Sequence, residues 1–221
     1  MTRTLFKLFT ITFILIMLQI STVQASHPYN PERHIPSIHS STDGESFCVD
    51  VKNTSRVTYT TAMNTLTTVL YNTDDGWDEL NNGKISFVGH SSGQNCSDMT
   101  STLLSIYKFR YYVLDNPEDF SGGTSAVIDC STNCVKRYGP TSVSGHTHYD
   151  YGHAYLKHTA ISTTTTHTIN HETGHLLGLI DGDGTCTPTS IMHSVAYGCT
   201  TNPAWPTTAD INSVIAESNK S

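Results

Sequence analysis

Apolar residues recur along the chain at two spacings, and each change of spacing marks an element. FCVDV (47–51) alternates apolar and polar positions and predicts a strand. In TTAMNTLTTVLYN (60–72), Met63, Leu66, Val69 and Leu70 recur at helical spacing. That predicts an amphipathic helix, although its many threonines are poor helix formers. Strands are expected at KISFVGH (84–90), within LLSIYKFRYYVLD (103–115), at AVIDC (126–130) and at GHAYLKHTAI (152–161). The 103–115 run also fits a helical start, and its periodicity leaves that open. STTTTHTINHETGHLLGL (162–179) offers several threonine N-caps before a helix whose Ile169, Leu176 and Leu177 face a core. In PTTADINSVIAES (206–218), Thr207 precedes Asp210 by three residues and Ile211, Val214 and Ile215 follow, which predicts a capped closing helix. No internal repeat is visible. The sum is an α+β domain, a mixed sheet with helices above a Gly- and Cys-rich lower part.

The first 25 residues follow a different pattern. MTRTLFK carries Arg3 and Lys7 and no acid, LFTITFILIMLQI is apolar, and VQA ends on a small residue. These features predict a secretory signal peptide cut after Ala25, and hence a secreted, extracellular protein. An uncleaved anchor is the competing reading, but the apolar run is short for a bilayer span. Cleavage leaves 196 of the 221 residues, enough for one domain with its own core. Residues 26–45 are rich in Pro, His and Ser and read as a flexible arm or a pro-segment remnant, with a single domain from 46 to 221.

Loss of Arg3 and Lys7 takes the formal charge from −7 to −9. So acidic a surface repels phosphate backbones, and nucleic acid is not an expected partner. Nor is a membrane, once the leader is removed; a monomer is expected. Six cysteines in an exported chain predict three disulfides. Local pairing favours Cys130–Cys134 and Cys186–Cys199, leaving Cys48–Cys96. Asn53, Asn95 and Asn219 head Asn-x-Ser sequons, which matter only in a glycosylating host.

The chemistry concentrates in HETGHLLGLIDGDGTCTPTSIMHS (171–194). On a helix, His171 and His175 lie about 400° apart and stack on one face, where both rings can reach a single ion. Glu172 stands beside that face, placed to act as general base on a water held by the ion. Gly178 can end the helix in a left-handed step, and Asp181 then returns as a third ligand. Three protein ligands leave the open position of a catalytic site. Asp183 and His193 are competing third ligands.

HETGHLLGLID resembles the HExxHxxGxxD zinc signature of the snapalysins, small secreted bacterial neutral proteases of the metzincin clan. Most metzincins have a histidine where this chain has Asp181. SIMHS resembles the clan's Met-turn, and the resemblance implies that Met192 forms a hydrophobic floor beneath the imidazoles. CTTNPAWPTTADINSVIAE (199–217) resembles the snapalysin C-terminal run and also supports the Cys186–Cys199 pair. The likeness covers residues 152 to 217. It implies a metzincin-like twisted mixed sheet with an active-site helix, one catalytic Zn²⁺, and cleavage of proteins on the amino side of aromatic residues. Some metzincins carry a tyrosine two residues past the methionine; Ser194 stands there, and Tyr197 is a weak substitute.

GHAYLKHTAI precedes the metal helix, so Gly152, His153, Ala154, Tyr155 and Leu156 are expected to form an exposed edge that takes up an extended substrate. An ordinary paired strand is the alternative. GHTHYDYGH adds a cluster of metal-capable groups, His146, His148, Asp150, His153 and His158, for a second, structural metal; solvated loop histidines are the plainer reading. The leading expectation is a zinc endopeptidase acting on proteins or peptides. A secreted binding or adhesion domain with a structural metal, and a zinc hydrolase of a non-peptide amide, are the alternatives.

Overall fold

The structure is a computed structural model that describes residues 33–34, 45–52, 56–72, 75–77, 87–88, 94–115, 134–143, 146–162, 166–182, 189–193 and 203–218. The elements in chain order are β1 (Arg33–His34), β2 (Glu45–Val51), α1 (Tyr59–Leu70), β3 (Phe87–Val88), a 3-10 turn at Cys96–Asp98, α2 (Ser101–Leu104), β4 (Phe109–Leu114), β5 (Cys134–Val143), β6 (His146–Lys157), α3 (His158–Ser162), α4 (Thr166–Leu176) and α5 (Thr208–Ser218). The predicted signal peptide, the 126–130 strand and the Cys186–Cys199 pair lie outside the described residues. Within the predicted arm, Arg33–His34 pairs in parallel with Thr147 and His148. No helix among the described residues is long and apolar enough to cross a membrane.

The domain is α+β, built on a mixed sheet. β3, β2, β4 and β6 run parallel in that order, and β5 closes the row antiparallel to β6. Four of these strands are long; β1 and β3 are two-residue bridges. Alternation explains the layering. Phe47, Val49 and Val51 of β2 pair in register with Phe109, Tyr111 and Val113 of β4. With Ala154 and Leu156 of β6 they bury one face of the sheet. Leu66, Val69 and Leu70 of α1 and Ile169 and Leu176 of α4 join the same core. The threonines do not prevent α1, because burial on one face and an N-cap compensate: Thr58 accepts from Thr61 N–H.

The 103–115 run takes both of the forms open to it, ending α2 and then forming β4, all six of whose residues are buried. Two expectations change. GHAYLKHTAI is strand only to Lys157, and His158–Ser162 is helix. Gly152–Leu156 is not an edge: all five residues pair with β4 on one side, and Gly152–Tyr155 pair with β5 on the other. Its N–H and C=O groups are already committed to two neighbours, so no extended substrate can add there.

Cys48 and Cys96 form a disulfide that ties β2 to the 3-10 turn. It closes a 48-residue separation, worth about 4 kcal/mol in the loop-entropy description. Cys134 is also disulfide-bonded.

Candidate metal centre

Three contacts seat α4 over the sheet. Tyr111 Oη bonds Thr173 Oγ1 (2.9 Å), and the indole N–H of Trp77 donates to the Asn170 carbonyl (3.1 Å). On β5, Arg137 donates through Nε (3.1 Å) and Nη2 to the His175 carbonyl, placing a cation at the helix C-terminus. Gly178 then takes φ 101°, the left-handed step that glycine makes without steric cost. Gly178 N–H donates to His175 O (3.1 Å) and Leu179 N–H to Gly174 O (2.9 Å), the paired bonds of a Schellman ending. The chain reverses as expected and brings Asp181 back to the histidines.

His171 and His175 lie with ring centroids 4.8 Å apart. His171 Nδ1 bonds the Ile191 carbonyl and His175 Nδ1 the Leu179 carbonyl, each at 2.9 Å. A carbonyl only accepts, so both Nδ1 atoms carry a proton, and both Nε2 atoms are the ones turned to Asp181, where a metal would replace any proton they hold. Asp181 Oδ1 lies 3.2 Å from Nε2 of His171 and 3.5 Å from Nε2 of His175. A tetrahedral ion with bonds of about 2.0–2.1 Å holds its donors about 3.3–3.4 Å apart, so the spacing suits a common ion. Among the described residues this is the group of three whose donors could hold a metal. The Asp181 side chain is 41 % exposed against 4 % for His175, so the group opens to water on the carboxylate side.

Glu172 is buried, and its Oε2 has no hydrogen-bond partner. Burial pushes its pKa up, the charges of His171 and His175 pull it back, and Asp181 adds to the rise. A carboxylate oxygen orphaned within electrostatic reach of all three donors is what a divalent ion with its own water would satisfy. For His171, burial opposes a charge, but the bond to Asp181, the Glu172 charge and the Ile191 carbonyl outweigh it and push the pKa up to about 9. The two histidine bonds hold Asp181 well below the ordinary carboxylate range, against its partial burial. The donor set fits a divalent cation.

Met192 is buried, and it explains a glycine between the two histidines: a Cβ at Gly174 would lie 2.5 Å from Met192 Sδ. Of the competing third ligands, His193 is buried with its ring against Gly182, and Asp183 lies outside the described residues.

The five second-metal candidates do not meet at one point. His146 to Asp150 and His153 are strand rather than loop. At ~3.3 Å per residue, His146 and His153 stand about 23 Å apart along it, far beyond the span of one ion's ligands. The His153 ring bonds Tyr155 Oη (2.9 Å), the Asp150 carboxylate lies over Gly139, and His158 Nδ1 lies 3.4 Å from Asp115.

Gly174 and Arg137 were not legible in the sequence as parts of this centre. A glycine interior to a helix, which costs about 1 kcal/mol against alanine, was the one available signal. No protein-family model matches the chain, and no curated protein matches it.

Proposed function

We propose that the chain is a secreted zinc-dependent endopeptidase of the metzincin-like, snapalysin-like kind. The observation that carries this is the convergence of two Nε2 atoms and one carboxylate oxygen within 4.8 Å of one another, beside a buried Glu172 whose Oε2 is unpaired. The HETGHLLGLID resemblance and the mixed sheet leading into α4 support the same reading.

A zinc ion bound there supplies Lewis acidity, polarising a carbonyl and acidifying a water. The remaining work falls to the chain. His171 and His175 act as neutral donors with their tautomer set by backbone carbonyls. Glu172 takes the proton of the attacking water and delivers it to the leaving amine, a task suited to a carboxyl whose pKa is raised by burial. Arg137 fastens β5 to the end of α4 and so holds the helix against the sheet. A purely structural metal would need neither an orphaned glutamate nor a solvent-open side.

Glu172→Ala, assayed on casein or a peptide library, tests the reading. Proteolysis is expected to fall by ~10²–10⁴ while zinc content stays at the wild-type level. Full proteolysis in that variant would remove the assigned mechanism.

A further inference from the structure

A continuous line of hydrogen bonds runs from one metal-directed ring to a carboxylate in the closing helix. Nδ1–H of His171 donates to the Ile191 carbonyl (2.9 Å). That carbonyl shares its peptide group with the N–H of Met192, which donates to Ser190 Oγ (3.0 Å). The Ser190 hydroxyl donates in turn to Asp210 Oδ1. Ser190 and Asp210 are both fully buried. Donor and acceptor alternate without a break, so the carboxylate polarises every link in the same direction, and water does not screen it.

The other carboxylate oxygen has separate work. Asp210 Oδ2 accepts from Ile191 N–H (3.0 Å), Thr207 N–H (2.7 Å) and the Thr207 hydroxyl (2.8 Å). Met192, the next residue of the same turn, offers its carbonyl to Gly182 N–H (3.0 Å), one residue past Asp181. The turn at 190–193 thus backs two of the three donors, and α5 holds the turn through Asp210.

We propose that Ser190 and Asp210 are positioning residues of the metal centre, forming a relay that fixes the tautomer of His171 and strengthens its Nε2 as a donor to a divalent cation. A carboxylate bonded directly to a metal-binding imidazole raises the ring's basicity. Here one peptide group and one hydroxyl stand between them and pass the same polarisation on. The relay rests on the metal-centre reading of His171, His175 and Asp181, and not on which bond is cleaved.

Ser190→Ala cuts the relay while leaving Asp210 its bonds to Ile191 and Thr207. Thr207→Ala is the matched control, because it removes a bond to the same carboxylate outside the relay. In the full chain, zinc affinity measured by chelator competition is expected to fall about tenfold or more in Ser190→Ala and to stay unchanged in Thr207→Ala. The Nδ1 proton resonance of His171 is expected to shift upfield in Ser190→Ala alone, a change that loosened packing would not produce selectively. Asp210→Asn, which keeps the shape and removes the charge, is expected to repeat the loss and serves if the alanine variant folds poorly. Wild-type affinity in both Ser190→Ala and Asp210→Asn overturns the relay and leaves the metal centre standing. A wild-type chain that binds no zinc overturns both.

Discussion

His171 and His153 lie on opposite faces of the same sheet, both largely withdrawn from water, and they meet opposite surroundings. His171 faces the Asp181 carboxylate at 3.2 Å with Glu172 nearby, and its pKa is pushed up to about 9. His153 sits among Tyr112, Tyr138 and Tyr155, and burial together with the charges of Arg110 and Lys136 lowers its pKa to about 3. The guanidinium of Arg110 itself lies 3.7 Å over the Tyr151 ring. Burial is common to the two sites. The sign of the neighbouring charge differs, and it decides whether an imidazole is offered to a cation or kept from one. In a chain with twelve histidines, residue type alone makes no such distinction.

The largest expected effect breaks the comparison on the metal side. Asp181→Asn removes the anionic donor, and zinc affinity is expected to fall by more than the ~10–100-fold typical of losing an outer partner. His153→Phe in the same chelator competition is expected to leave affinity unchanged, and a comparable loss there would erase the contrast. A smaller effect is expected from Gly174→Ala. Its Cβ would press on Met192 Sδ at 2.5 Å and Trp77 at 3.2 Å, costing about 1–3 kcal/mol in urea unfolding.

The most graded effect is on pH dependence of the metal-free chain. His153 has a folded pKa below the unfolded value of about 6.5, so the unfolded chain takes the proton first. Its stability contribution is present above about 6.5 and is lost towards about 3, by at most ~1.4 kcal/mol per pH unit. His171 has a raised pKa, so its contribution is present below about 6.5 and is lost as pH rises through about 9. Unfolding midpoints should therefore fall on both limbs; His153→Phe is expected to flatten the acid limb alone, and Asp181→Asn the alkaline limb together with the most acidic part of the other, where its own lowered pKa acts.

Local pattern made the helices and the candidate metal donors legible. Met63 to Leu70 lie on the helix they predict, and Thr207 and Asp210 exchange the bonds of a capping box. His171, His175 and Asp181 converge because helix period and a glycine stop are local properties. The position of β6 was not legible. Gly152, Ala154 and Leu156 alternate with His153, Tyr155 and Lys157, and that alternation suits a half-exposed edge as well as a central strand whose second face is covered by aromatic rings. Strand order comes from contacts distant in sequence. The same limit hid Arg137, which meets His175 across 38 residues, and the second task of Asp210, which reaches Ser190 across 20.

The reversal at Gly178 makes the segment between His175 and Asp181 behave as a ruler. One of its steps is spent turning the backbone off the end of α4, and the rest bring the carboxylate back level with the rings. A residue inserted or deleted there would swing the oxygen to another bearing, whatever its identity. Its length cannot drift, and at Gly178 neither can its composition.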